Sequence, residues 1–263
     1  MTTEQLNEFA ALNWQGLAIE CAPCDHAALR EEGGCKLLAA CVHDRYALRI
    51  DRFFRWNPAL ARLYLQHPYF EVRAIAAKYV EVFYLPQLMA DEDETVRWSA
   101  AQRLTLRQLM TMRSDPDREV RIRVATRLPA QDLVSMLDDM DYFVRTIVAR
   151  RLPVGMLSRM LHDNDSEVRV EVAKRIGAEW LTIMAMDNEV NVRLVVVRRL
   201  ASSQLTAMLE DVDWRVRYEV AQRIDASKLF KLSSDEDEAV REIVQWRQQL
   251  IQKPVSAIQE GRP

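Results

Sequence analysis

The sequence predicts an all-α fold built from short repeated units, and three observations lead to this prediction. The dipeptide Val-Arg recurs every 24 residues in eight copies, from Val72-Arg73 to Val240-Arg241. Other columns keep the same register, so each unit can be numbered from its Val as place 1. The apolar places follow helical spacings, and no run alternates like a strand. A fixed period of this length is typical of a solenoid, in which each unit buries its apolar face against its neighbours.

The first part of each unit is predicted to be a short α-helix. Places 1, 5, 6 and 9 are apolar, and at roughly 100° per residue they fall within one arc that can face a core. Pro129 and Pro153 indicate where two of these helices end. An Asp lies just before the helix, where its side chain can accept backbone hydrogen bonds as an N-cap. The predicted caps are Asp93, Asp117, Asp141, Asp165, Asp213 and Asp237.

The second part of each unit is predicted to be a shorter and tighter helix. Only places 14 and 17 stay apolar there, as in Leu133 and Met136. A spacing of three residues brings side chains into line on a 3₁₀-helix. Each unit is therefore predicted to alternate an α-helix with a 3₁₀-helix.

These patterns divide the chain into four parts. They are an N-terminal metal module at 1–47, a degenerate capping repeat at 48–71, the repeat solenoid at 72–250 and a C-terminal tail at 251–263. The degenerate repeat keeps Arg49 and Arg55, but it has Phe53, Phe54 and Trp56 where Ala and Leu would lie. Terminal repeats are atypical because they cap the core.

Composition excludes several function classes. The net charge of −3 is too small to indicate a polyanionic or membrane partner. No apolar stretch approaches the roughly 18 residues of a membrane span. The polar start, residues 1–9, does not read as a secretory signal, so the expected location is the cytoplasm. No Gly-rich phosphate loop and no hydrolase or transferase motif is present, so we expect no catalytic residues and no enzyme activity.

All four cysteines lie in one short segment, as Cys21-Ala-Pro-Cys24, Cys35 and Cys41. In a reducing compartment this clustering indicates a metal site rather than disulfides. Four thiolates suit zinc or an iron–sulfur cluster equally well by chemistry. The wide second spacing, Cys-x5-Cys, favours the cluster, because zinc ribbons pair two short Cys-x-x-Cys knuckles. His26 and His43 lie nearby and are interpreted as ordinary polar residues rather than ligands.

Two helices are expected in the metal module. Residues Thr2 to Ile19 read as an amphipathic helix, with Thr2 and Gln5 at capping-box spacing. Residues Lys36 to Arg52 also look helical, which would place Cys41 on a helix. Gly33 and Gly34 are expected to allow a bend between the two halves of the cysteine segment.

Two arginine columns have both a structural and a functional interpretation. The place-2 Arg lies inside the apolar arc, so we expect it to be buried and paired with the Asp at place 20. The place-8 Arg, joined by bases at place 7, lies near the helix C-terminus, where positive charge is favourable. The functional alternative for place 8 is a basic strip that binds phosphates or an acidic protein.

The motifs Val-Arg-x-x-Val-Ala-x-Arg-Leu-Pro and Leu-x-x-Met-Leu-x-Asp-x-Asp, matched from Val72 to Arg247, resemble the leucine-rich repeat variant family. The resemblance implies a right-handed superhelical solenoid of alternating α- and 3₁₀-helices without β-sheet. The cysteine segment resembles a module that precedes the repeats in some members, which implies that these cysteines ligate a 4Fe–4S cluster. The implied ligands are Cys21, Cys24, Cys35 and Cys41. Glu189 departs from the pattern, in the second Asp column.

Two functions are therefore expected to compete. The first is an iron–sulfur protein whose solenoid is a protein-interaction scaffold, in electron transfer or redox sensing. The resemblance adds a link to bacterial nitrogen fixation. The second is a nucleic-acid-binding solenoid that uses the place-8 ridge, with a structural metal cluster. The sequence does not identify the partner.

Overall fold

The computed structural model describes residues 10–252, and the chain divides into two compact units, Met1–Pro129 and Ala130–Pro263. The α-helices are α1 (Ala27–Glu31), α2 (Ala47–Trp56), α3 (Phe70–Tyr79), α4 (Glu94–Ala101), α5 (Leu106–Thr111), α6 (Arg118–Arg127), α7 (Tyr142–Arg151), α8 (Ser166–Arg175), α9 (Ala178–Met184), α10 (Val190–Arg199), α11 (Trp214–Arg223) and α12 (Glu238–Gln252). The 3₁₀-helices are Pro58–Tyr64, Val82–Ala90, Ala130–Met136, Val154–Met160, Ser202–Met208 and Ala226–Leu232.

The predicted all-α fold of alternating α- and 3₁₀-helices is confirmed. Within residues 10–252 there is no strand, and two isolated bridges, Leu12 with Ala18 and Lys36 with Ala40, are the β-contacts that occur. In two repeats the second helix is a short α-helix instead, α5 and α9. For α5 the cause is local, because Thr105 and Gln108 form a capping box that fixes an α-helical first turn.

The core follows the apolar columns. The Val at place 1 is fully buried in every repeat from Val72 to Val240, and so is Leu133 at place 14. The predicted Asp caps are confirmed: Asp117, for example, accepts hydrogen bonds from the backbone N–H groups of Glu119 and Val120. Glu189, the departure from the Asp column, makes no side-chain cap bond. The α-helices that contain the Val-Arg dipeptides therefore begin at a capping Asp, except α3, which follows Tyr69, and α10, which follows Glu189.

The expected pairing of the place-2 arginines is confirmed. In these pairs Nε and Nη2 of the Arg donate to the two carboxylate oxygens of the place-20 Asp over 2.7–3.0 Å. Nη1 of Arg145 also donates to the backbone carbonyl of Asp139 in the preceding loop. The guanidinium therefore ties two successive loops together. The pairs are Arg73–Asp91, Arg97–Asp115, Arg145–Asp163, Arg169–Asp187, Arg193–Asp211 and Arg217–Asp235.

The place-8 arginines bind carbonyls at the C-terminal end of the α-helix in the preceding repeat. Arg103 donates to the carbonyls of Ala77 and Val80, and Arg199 donates to those of Ala173 and Ile176. These carbonyls have no partner within their own helix, so the guanidinium satisfies them and meets the negative end of the dipole. The structural interpretation of this column is thereby supported, with the preceding helix as its target.

Two expectations for the metal module are wrong in the described residues. Residues 10–19 form a turn closed by the bridge from Leu12 to Ala18, and the remainder of the Thr2–Ile19 helix lies outside the described residues. The helix expected over Lys36–Arg52 begins only at Ala47. Its first half is a tight turn in which Leu38 has φ 65°, a left-handed conformation that a helix does not contain. Cys41 therefore lies in a loop.

None of the helices within residues 10–252 has the length and apolar character needed to cross a bilayer.

Candidate metal centre

The four cysteines line one cavity in the N-terminal module. Cys21, Cys24, Cys35 and Cys41 are free and half-buried, and the walls between them include Phe53 of α2 and the bases Arg30 and Lys36. No three His, Cys, Asp or Glu side chains among residues 10–252 are arranged to hold a single metal ion. The fold thus brings all four thiols to one cavity.

Two glycines shape the loop between Cys24 and Cys35. Gly33 has φ 80°, which closes the chain after α1 at little steric cost. A Cβ added to Gly34 would lie 2.5 Å from Leu29 Cδ1. The carbonyl of Gly34 accepts a 2.7 Å hydrogen bond from Asn57 Nδ2, just after α2. The expected bend is confirmed, and it docks the cysteine loop on the end of α2.

Backbone hydrogen bonds reach two of the sulfurs through the same short motif, Cys-x-His. The N–H of His26 donates to Cys24 Sγ over 3.4 Å. A backbone hydrogen bond from His43 to Cys41 lowers the pKa of that thiol. Such bonds favour the thiolate form that a metal requires. In both cases the backbone two residues after the cysteine helps to hold its sulfur in place.

Burial opposes ionisation of the thiols in the absence of a cation. It raises the pKa of Cys41 to about 12, against the smaller lowering by the backbone of His43. Burial and the neighbouring Cys24 and Cys21 raise the pKa of Cys35, while Arg30 lowers it. Four thiolates in this cavity would repel one another, so a bound metal centre supplies the positive charge that stabilises them.

An aromatic cluster lies behind the cysteines. His26 Nε2 is hydrogen-bonded to the hydroxyl of Tyr64, which ends the first 3₁₀-helix. His43 and His67 pack against the same phenol ring, with centroid distances of 6.5 and 6.0 Å. Burial lowers the pKa of each of the three histidines. The sequence analysis treated His26 and His43 as ordinary polar residues, although both follow a cysteine at the spacing Cys-x-His, and it did not identify Tyr64 or His67.

The degenerate repeat joins the module through a buried ion pair. Arg49 Nη1 lies 2.8 Å from Asp44 Oδ2, and both side chains are 0% exposed. In a regular repeat the place-2 Arg pairs with place 20, but here that place is His67. Arg49 therefore turns to the loop that follows Cys41. The change of partner ties the start of the array to the cysteine segment.

Comparisons with known proteins agree with this architecture. A family model described as "LRV protein FeS4 cluster" matches residues 11–62, and a model described as "Leucine rich repeat variant" matches residues 142–165. A solved structure described as a leucine-rich repeat variant with a novel repetitive protein structural motif is 42% identical, with a TM-score of 0.82. That match covers 87% of this chain and 98% of the other.

A curated relative from Rhodobacter capsulatus matches a shorter part of the chain. It is described as an uncharacterized 27.7 kDa protein in the nifB 3' region, and it is 53% identical over 93 residues. The match covers 35% of this chain and 38% of the relative, so the chain spans less than half of that protein's length.

Proposed function

Because this chain belongs to the leucine-rich repeat variant family and carries its iron–sulfur module, we propose that it is a 4Fe–4S protein whose repeats serve as a protein-interaction scaffold. Its role would be electron transfer or redox sensing linked to nitrogen fixation, without catalysis by the chain itself. The relative from the nifB 3' region supports the link to nitrogen fixation. Four free thiols fit a reducing compartment, and we place the protein in the cytoplasm.

The observation that carries the proposal is the shared cavity of the four cysteines. A single zinc ion needs its sulfurs at about 2.3 Å from one centre. In a 4Fe–4S cluster each thiolate binds a different iron, so the four sulfurs are spread around the group. The choice of the cluster over zinc rests on the match of residues 11–62 to the iron–sulfur family model and on the wide Cys35–Cys41 spacing.

The residues of the cavity have distinct roles in this proposal. Cys21, Cys24, Cys35 and Cys41 would hold the cluster, which when bound can accept and release an electron. The bases Arg30 and Lys36 line the same cavity and offset the negative charge of four thiolates. Phe53, which is 1% exposed, closes the inner wall and keeps water away from the sulfurs. The chain thus supplies the ligands, positive charge near them and an apolar wall that excludes water.

The repeats offer exposed apolar side chains suited to a protein partner. Met140, Met186 and Val212 are 87%, 88% and 88% exposed in the loops of the Ala130–Pro263 unit. Tyr142 and Trp214 occupy the same place in two of these repeats and are 45% and 44% exposed. Exposed Met and aromatic side chains are enriched where proteins bind one another. We therefore place the scaffold surface on these loops.

The nucleic-acid alternative loses its main support, because the place-8 guanidinium groups are used within the fold. Arg127 and Arg175 each donate to two backbone carbonyls. At place 7, Arg150 and Arg198 are paired with Glu171 and Glu219. Bases that cap a helix or pair with Glu keep their charge but have fewer free N–H donors for phosphates than the sequence suggests.

The cluster is tested on full-length protein purified without oxygen. We expect iron and acid-labile sulfide at four each per chain, and an electron paramagnetic resonance signal after reduction with dithionite. Replacing each cysteine in turn by Ser should lower the iron content or change the signal. Stoichiometric zinc without iron in the anaerobic protein would rule the cluster out.

The scaffold surface is tested by crosslinking in the native host. The double variant Met140→Glu, Val212→Glu should lose crosslinks that the parent protein forms with its partner. Phe83→Glu is the matched control, because Phe83 is 70% exposed but belongs to the Met1–Pro129 unit. Equal loss in the control would place the partner elsewhere.

A further inference from the structure

We infer that Tyr64 is a positioning residue for the cluster site, because its hydroxyl holds the residue whose backbone contacts two of the four cysteines. This inference rests on the proposed ligation of a cluster by those cysteines. It assigns a role in the metal centre to a side chain of the degenerate repeat at 48–71, outside the cysteine segment. Three structural steps lead from Tyr64 to the sulfurs.

The first step is the position of His26 between two cysteines. Its backbone N–H donates to Cys24 Sγ over 3.4 Å, and its carbonyl oxygen lies 3.9 Å from Cys35 Sγ. The same peptide therefore touches both halves of the cysteine loop. A rotation of His26 would change both contacts at once.

The second step is the hydrogen bond that fixes the His26 ring. Its Nε2 is bonded to the hydroxyl of Tyr64, 38 residues further along the chain. Tyr64 is itself held by edge-on packing against Phe53 and Phe54 of α2, with centroid distances of 6.3 and 5.6 Å. The phenol O–H can donate a hydrogen bond to Nε2 of His26 when that nitrogen carries no proton. The ring of His26 is thus bonded to a phenol that packs on two buried rings of the degenerate repeat, Phe53 and Phe54.

The third step connects this tie to the electronic properties of the centre. Hydrogen bonds to the ligand sulfurs are among the factors that set the reduction potential of an iron–sulfur cluster. A donor such as the His26 N–H stabilises the more negative, reduced state and raises the potential. Without the Tyr64 hydroxyl the His26 ring keeps only its packing against neighbouring rings such as Phe53 and His43, and we expect the N–H bond to Cys24 to weaken. The potential should then become more negative.

The test compares Tyr64→Phe with Tyr69→Phe in full-length protein purified without oxygen. Tyr69 is the matched control, because its hydroxyl donates to the carbonyl of Arg45 at the same junction and its ring stacks on Trp14. Each variant is titrated potentiometrically, with the reduced cluster followed by electron paramagnetic resonance. We expect both variants to retain iron, and only Tyr64→Phe to shift to a more negative potential. An unchanged potential, or equal shifts in the two variants, would overturn the inference.

A second pair of variants covers the case in which Tyr64→Phe does not retain the cluster. The amide of His26→Gln can still bond the Tyr64 hydroxyl, whereas His26→Leu cannot. We expect His26→Gln to stay closer to the parent protein in iron content and potential. Equal loss in both would overturn the positioning role. Absence of iron from the parent protein would instead overturn the proposed cluster, so the two failures can be told apart.

Discussion

Arg145 shows how a single side chain holds two loops of the array together. Its Nε and Nη2 lie 2.8 and 2.9 Å from the carboxylate oxygens of Asp163, and its side chain is 14% exposed. Replacing it with Ala leaves a nearly buried carboxylate without its partner, a change that typically costs about 3–5 kcal/mol. Arg145→Lys should also destabilise the protein, because an ammonium cannot make the two-pronged contact. Denaturant unfolding measures both effects.

The control for Arg145 is Arg150 in the same helix, α7. Its side chain is 52% exposed, and its partner Glu171 keeps a second ion pair with Lys174 at 2.8 Å. Arg150→Ala should therefore cost no more than about 1 kcal/mol. If Arg145→Ala lowered the unfolding free energy no more than Arg150→Ala does, the place-2 Arg–Asp pairs would not be stabilising the fold.

The Arg–Asp pairs of places 2 and 20 also predict that the protein loses stability in acid. Burial tends to raise the pKa of Asp187, but hydrogen bonds from Arg169 and the backbone of Glu189 outweigh it and hold the pKa below its usual value. The unfolded chain then binds protons more readily than the folded one. The stabilisation is present above the unfolded pKa of about 3.9 and is lost as the pH falls through the lower folded value.

The measurement for this prediction is the difference in unfolding free energy between the parent protein and Asp187→Asn. We expect a constant gap from about pH 7 to 5 and a narrowing gap below about pH 4. Titration of the histidines cancels in this difference, because both proteins contain them. Asp138→Asn, at an exposed carboxylate, is the control and should show no such gap. A gap that widens in acid would contradict the assignment.

Residue roles were predictable from the sequence only where the repeat supplied a register. Arg145 and Asp163 were expected to pair because both columns recur in step. Tyr64 was not found, because it lies in a degenerate repeat and meets His26 only through tertiary folding. Arg49 pairs with Asp44 for a similar reason, since His67 replaces the Asp that a regular repeat would offer.

Helices were predictable from the sequence where the capping residues and the spacing of apolar residues indicated the same bounds. Asp141 and Pro153 bracket α7, and the sequence predicts this helix because both signals are local. The segment from Lys36 to Arg52 has helical composition, but its first half closes the cysteine cavity, and Leu38 takes a left-handed conformation there. Local propensity is a weak signal where the tertiary requirement is a turn around a metal site.

Leu133 tests how far one repeat depends on its neighbours. It is 0% exposed in the 3₁₀-helix Ala130–Met136, so Leu133→Ala should open a cavity and cost about 2–5 kcal/mol. In an array of nearest-neighbour contacts, the loss should first loosen the adjoining elements. Hydrogen exchange should show reduced protection there and little change in distant repeats.

The control for Leu133 is Val154, an aliphatic residue that is 49% exposed in the next 3₁₀-helix. Val154→Ala should change the stability by no more than about 0.5 kcal/mol. Uniform loss of protection over all repeats in Leu133→Ala would show that the array unfolds as one cooperative body, contrary to this prediction.

At the scale of the whole molecule, several side chains of the degenerate repeat at 48–71 contact the cysteine module, including Arg52, which donates to the carbonyl of Ala39. Tyr64 bonds His26, Asn57 bonds the carbonyl of Gly34, and Arg49 pairs with Asp44. A cluster that holds four cysteines together therefore also holds the loops to which this repeat is attached. Because repeat stability is transmitted between neighbours, the effect of the centre should fall off along the array.

Removal of the cluster by an oxidant and a chelator tests this dependence. We expect hydrogen-exchange protection to be lost between residues 21 and 64, where the thiols lose their shared centre and His26 loses its fixed sulfur contact. Protection should fall less in α3 and α4, and least in α10 and α11. The Arg193–Asp211 and Arg217–Asp235 pairs of those two helices involve no residue of the metal module. A chain with all four cysteines replaced by Ser should reproduce the pattern without chemical treatment. Unchanged protection at Tyr64 and Asn57 would show that the degenerate repeat folds independently of the metal centre. A loss of protection at α11 equal to that near the cysteines would show that the effect of the centre does not decrease along the array.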